Sequence, residues 1–97
     1  FVRAECMYRE RAYREALPIF NQVWQAEEEA SPLWWRALLR NLQCHTEVGT
    51  DPQEILQSIR QYEHRYKDLG GPALRREFEA LKAQNERRRA DRQQRSF

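Results

Sequence analysis

The adjacent tryptophans Trp34 and Trp35, in the stretch "SPLWWRALLRNLQCH" at 31–45, limit the possible folds of this chain more than any other feature. Charged residues make up 33% of the sequence, so two large rings side by side need a specific place to go. Neighbours on a helix point about 100° apart, because one turn takes roughly 3.6 residues. A single flat contact face covers one ring and leaves the other at its edge. Either one ring is held out for a partner, or the helix that carries them has neighbours on two sides.

The rest of the chain favours the second arrangement. No stretch alternates with period two over a useful length, and the hydrophobic period is helical throughout. Three prolines mark helix starts. Ser31 precedes Pro32, Asp51 precedes Pro52, and Pro72 follows a pair of glycines, in each case placing proline at the first helical position, where its missing N–H costs nothing. Asp51 and Glu54 have the spacing of a capping box. Gly49 and the Gly70–Gly71 pair mark helix ends, because glycine takes the left-handed conformation without a Cβ penalty. These signals predict five helices over about 2–11, 13–28, 32–48, 52–68 and 72–95. Short connections make successive helices antiparallel hairpins.

The apolar rows agree. The second helix carries Tyr13, Ala16, Leu17, Phe20, Val23 and Trp24 at spacings of three and four; the fourth carries Ile55, Ile59, Tyr62, Tyr66 and Leu69. The fifth starts with Leu74, Phe78 and Leu81, where its apolar row stops. The third carries Leu33, Trp34, Trp35, Leu38, Leu39, Leu42 and Val48, spread too widely for one face. Pro18 is expected to bend the second helix or delay its regular start.

The segment "MYRERAYREALPIFNQVWQ" resembles the second half of a tetratricopeptide (TPR) repeat, with Tyr13, Ala16, Phe20 and Val23 on the family's second-helix positions. Trp35, Leu38 and Leu42 stand where the family places large first-helix residues, and Ile55, Ile59 and Tyr62 where it places second-helix residues. Leu39 and Ile55 are larger than the family's small residues, and the loop "EVGTDPQE" is longer. The resemblance spans roughly residues 3 to 69. It implies an all-α fold: antiparallel helical hairpins, about 2–28 and 32–68, stacked as a short TPR-like α-solenoid with a capping helix that starts over 72–81. In such a stack the middle helix needs two apolar sides. On this reading residues 1–81 are the repeat domain and 82–97 a polar, arginine-rich helical tail.

Composition narrows the function. The net charge of +2 arises from 17 basic and 15 acidic residues, a balance that argues against a dedicated nucleic-acid binder. All the basic residues but Lys67 and Lys82 are arginine, which suits paired contacts with carboxylates or phosphates. No run of eighteen apolar residues offers a membrane span. Cys6 and Cys44 are too few for a disulfide framework; they read as free thiols, consistent with a reducing, cytoplasmic setting, with a single bridge as the alternative if the first and third helices touch. The chain begins at Phe1 in sequence that already reads as helix, so we expect it to be a fragment of a larger protein.

Catalysis needs convergent groups of shifted acidity, and the candidates are poor. Cys44 and His45 are adjacent and diverge on a helix; His64 sits among charges; Glu27, Glu28 and Glu29 read as a solvated helix end. No zinc spacing, phosphate loop or nucleophile elbow is present. The expectation is therefore a non-enzyme without cofactor or metal: a protein-interaction or scaffold module that takes an acidic or extended peptide. The expected partner-binding residues are Trp34, Arg36, Arg40, Asn41 and Gln43, although core packing is the leading reading of Trp34. The alternative is a nucleic-acid-associated module in which Arg87, Arg88, Arg89 and Arg92 make electrostatic contacts. The bland reading of that tail is a solvating cap.

Overall fold

A computed structural model describes residues 1–95. It contains α1 (Val2–Arg9), α2 (Tyr13–Ala26), α3 (Pro32–Glu47), α4 (Pro52–Arg65) and α5 (Pro72–Arg95), with no strand among the described residues. The fold is all-α, as the periodicity requires. Ser31 Oγ accepts the Trp34 N–H at 3.3 Å, and Asp51 Oδ1 accepts that of Gln53 at 3.0 Å. Asp51 therefore caps α4 through Gln53, and the expected Asp51–Glu54 capping box is not formed. The Glu54 N–H goes to the Asp51 carbonyl, and no bond from the Glu54 side chain to the Asp51 backbone is present among the described residues.

Three helices end two or more residues earlier than expected. α1 stops at Arg9, α2 at Ala26 and α4 at Arg65. The joints that follow turn through left-handed residues that carry side chains: Arg11 (φ 63°), Ala30 (φ 68°) and Leu69 (φ 50°). Such residues are uncommon at positive φ, so nothing local in the sequence marks these ends. Pro18 lies inside α2, which starts at Tyr13 without delay. Arg14 and Pro18 are both exposed, so water can take the bond that the proline cannot donate.

Side-chain contacts fix the directions. Phe1 packs on Phe20 and Tyr8 on Tyr13, so α1 and α2 are antiparallel. α4 and α5 are also antiparallel, since Glu63 pairs with Lys82 and Asp51 with Arg92. Trp35 meets Phe78 and Thr46 meets Asn85, so α3 and α5 run the same way. α3 touches α2, α4 and α5 and reaches α1 through Arg40.

The tryptophan pair sits where these helices converge. Trp34 and Trp35 are each only 4% exposed. Trp34 packs on Trp24 of α2 at 6.0 Å and on Tyr62 of α4 at 5.6 Å. Trp35 shares Tyr62 and Tyr66 with it, the latter at 5.3 Å, and alone of the pair reaches Phe78 of α5, at 5.9 Å. The helix therefore has neighbours on two sides. Leu38, Leu39, Leu42, Ile55, Ile59, Leu69 and Leu81 complete this core. A smaller second core of Ala4, Ala16, Phe20 and Cys44 joins α1, α2 and α3.

α5 runs unbroken through the boundary expected at 81/82. Its buried row Phe78, Leu81 continues to Asn85, which is fully buried. Asn85 Nδ2 donates to Thr46 Oγ1 at 3.1 Å and to the Leu81 carbonyl at 3.0 Å, so a polar seam replaces the apolar one. Ser96 and Phe97, the end of the expected tail, lie outside the described residues. No helix of the described residues is long and apolar enough to cross a membrane.

Gly70 has φ 86°, and a Cβ there would come within 2.7 Å of Trp35 Cγ. Gly49 also has positive φ but faces open space. Gly49→Ala should therefore cost about 1–2 kcal/mol, the left-handed penalty alone. Gly70→Ala should cost about 2–4 kcal/mol, because displacing a core indole adds to that penalty. Urea unfolding of the two variants in parallel checks the difference.

Candidate protein-binding surface

The five residues expected to bind a partner do not form one surface. Trp34 belongs to the core, with no face left to anchor a ligand. On α3, Arg36, Arg40 and Gln43 follow at spacings of four and three and share a face, whereas Asn41 points to the opposite side, in the row Trp34, Leu38, Asn41, His45.

Arg40 is already occupied. Its Nε donates to Glu5 Oε1 at 2.8 Å and its Nη2 to Glu5 Oε2 at 3.2 Å, a two-pronged pair between α3 and α1. Its Nη1 donates to Gln43 Oε1 at 2.8 Å, and the guanidinium lies 4.2 Å from the centre of the Tyr8 ring. Burial disfavours the charge, but the Glu5 hydrogen bonds and charge outweigh it and raise the Arg40 pKa. Arg40 is therefore a tie that holds α1 in place, braced by Gln43 on its own helix, and neither is a free contact. The partner of Arg40 lies 35 residues away, beyond the reach of any local pattern.

Arg36 remains open. It is exposed and has no ion-pair or hydrogen-bond partner among the described residues. Beside it lies a groove of about 390 Å³ between the start of α3, the end of α4 and the start of α5. Trp35, Tyr66 and Leu74 give it apolar walls, and Asp68 supplies one carboxylate. Gly70 lines it as well, which lets the backbone run flush against the Trp35 ring.

The tail arginines are mostly engaged too. Arg88 donates through Nη1 to Asn85 Oδ1 at 2.6 Å and through Nη2 to the Thr50 carbonyl at 2.8 Å. Arg89 Nη1 donates to Gln53 Oε1 at 3.2 Å, and Arg92 Nη1 to Asp51 Oδ1 at 3.2 Å. Arg87 alone of the four is exposed and without a partner among the described residues. The polar half of α5 is thus docked on the α3–α4 connection. Asn85 was legible, lying four residues after Leu81 in the row; its type concealed its burial.

The reactive groups are quiet. Cys6 is exposed, Cys44 is buried, and both are free, although α1 and α3 do touch. Burial pushes the Cys44 thiol up to about 11, so it is protonated at neutral pH. His45 Nδ1 lies 2.9 Å from Thr50 Oγ1. The acidic run does not extend α2: Glu29 accepts the Tyr66 hydroxyl at 2.6 Å and pairs with Arg65 at 3.2 Å, fastening the α2–α3 connection to α4. No three His, Cys, Asp or Glu among the described residues are grouped to hold a metal ion. No protein-family model, curated protein or solved structure matches this chain.

Two outcomes follow. Arg40→Ala should cost about 1.5–3 kcal/mol, since it strips the charged hydrogen bonds from Glu5, while Arg36→Ala should stay within about 0.5 kcal/mol; guanidinium unfolding measures both. His45 has its pKa lowered, by burial first, against a raising influence from Glu54. The unfolded chain then binds more protons at this site than the folded one, so His45 makes stability fall as pH drops from neutral through the ordinary imidazole range. His45→Gln should flatten that part of the stability profile between pH 7.5 and 5.

Proposed function

We propose that this chain is a non-catalytic protein-interaction module, a TPR-like stack of helical hairpins that holds an extended acidic peptide. The observation that carries this reading is Arg36, an exposed guanidinium without a partner among the described residues, at the rim of the groove walled by Trp35, Tyr66 and Leu74. Arginine beside aromatic surface is the combination that dominates interface hot spots, and a guanidinium grips a carboxylate through two parallel hydrogen bonds. The common direction of α3 and α5, with α4 returning between them, supports the repeat reading, because a stack of hairpins presents its first helices side by side. The protonated Cys44 and the hydroxyl-bound His45 support a binding role over catalysis.

An array of immobilised acidic peptides, probed with the intact chain, tests this. Binders should be found, and Arg36→Glu should weaken them at least tenfold, equivalent to about 1.4 kcal/mol, while the helical circular dichroism stays unchanged. Peptide capture that is indifferent to Arg36→Glu would sink the assignment of this groove.

A further inference from the structure

The opposite side of α3 carries a second cavity, of about 180 Å³, lined by Asn41, His45, Thr50, Glu54 and Ser58 with Leu42 and Ile55 as apolar walls. At one end of this face Trp24, Trp34 and Tyr62 pack together. Further along the same row of α3 the large residues give way to Asn41 and His45, and the space they leave is the cavity. We propose that it receives a single primary alkylammonium group, the end of a partner's lysine side chain. This surface is independent of the Arg36 groove.

Size comes first. At about 180 Å³ the cavity is well below the ~300 Å³ at which pockets for whole drug-sized ligands begin. It fits one side chain and not a nucleotide or cofactor. Charge comes second. Glu54 is the one carboxylate in the lining, and it makes no ion pair among the described residues. His45 is held toward its neutral form by burial, so the cavity carries a net negative charge near neutral pH. Hydrogen bonding comes third. The Asn41 amide has no partner among the described residues, and the Thr50 hydroxyl contacts only the His45 ring. Together with the Glu54 carboxylate they offer acceptors to match the three donors of an ammonium. Leu42 and Ile55 then cover the methylene stem, as apolar surface does wherever a lysine keeps its charged head near water.

The test is a titration of the intact, nitrogen-15-labelled chain at constant ionic strength. The probes are n-butylammonium, butyrate, and a capped five-residue peptide with one lysine among alanines. Butylammonium should move the Asn41 side-chain signal and the amides of His45, Thr50 and Ser58 along saturable curves, and butyrate should leave them in place. Glu54→Gln removes a charge that makes no ion pair among the described residues, so its spectrum should overlay away from His45 and the first turn of α4 while butylammonium affinity falls at least tenfold. The lysine peptide should bind at the same signals, tighter than butylammonium. Equal shifts from butyrate, shifts that never saturate, or affinity unchanged by Glu54→Gln would overturn the site. Butylammonium binding with no response to the peptide would overturn the lysine assignment in favour of a free amine.

Discussion

The tryptophan pair is the contact on which the rest of the molecule depends. The two rings stand edge to face, 4.9 Å apart at 86°, and from that junction they reach Trp24, Tyr62, Tyr66 and Phe78. Aromatic pairs in such geometry contribute about 0.5–1.5 kcal/mol each beyond the area they bury. More important is their direction. Because Trp34 and Trp35 diverge around one helix, burying both fixes the positions of α2, α4 and α5 relative to α3. Gly70 and the left-handed turn at Leu69 then place the start of α5 against Trp35, and a groove remains where the connection passes.

A second set of ties works by charge and hydrogen bonds and runs around the apolar centre. Arg40 fastens α1 to α3, Glu29 fastens the α2–α3 connection to Tyr66 and Arg65, and Asn85 with Arg88, Arg89 and Arg92 fastens α5 to the α3–α4 connection. These differ in strength. The Arg40–Glu5 pair is three-quarters or more buried and doubly bonded, whereas Arg92–Asp51 is over half exposed, where an ion pair contributes at most about 1 kcal/mol. With these arginines engaged, the two surfaces we propose for recognition are Arg36 with its groove on one side of α3 and the Asn41–Glu54 cavity on the other.

What could be read in advance follows a physical line. Helix number, the starts at Pro32, Pro52 and Pro72, and the two-sided character of α3 were legible, because proline, capping and a period of roughly 3.6 residues act within one turn. The ends of α1, α2 and α4 were not, since Arg11, Ala30 and Leu69 take a left-handed conformation that their own side chains disfavour; at Arg11 local backbone bonds from Arg11 to Tyr8 and from Ala12 to Met7 hold it. Residue type also misled. An arginine on a helix face has the same pattern whether it faces water or Glu5, and an asparagine in an apolar row looks like the end of the row.

The sequence by itself therefore determined an all-helical chain of five segments whose third member is covered on two sides. Local hydrogen bonding and side-chain periodicity are properties of neighbours. Only the tertiary structure decided that Trp34 is core, that Arg40, Arg88, Arg89 and Arg92 are bound internally, and that the Arg36 and Glu54 side chains have no such partner among the described residues. Those pairings join residues 35 to 41 positions apart, and across such separations the partner of a charge is set by how the helices pack.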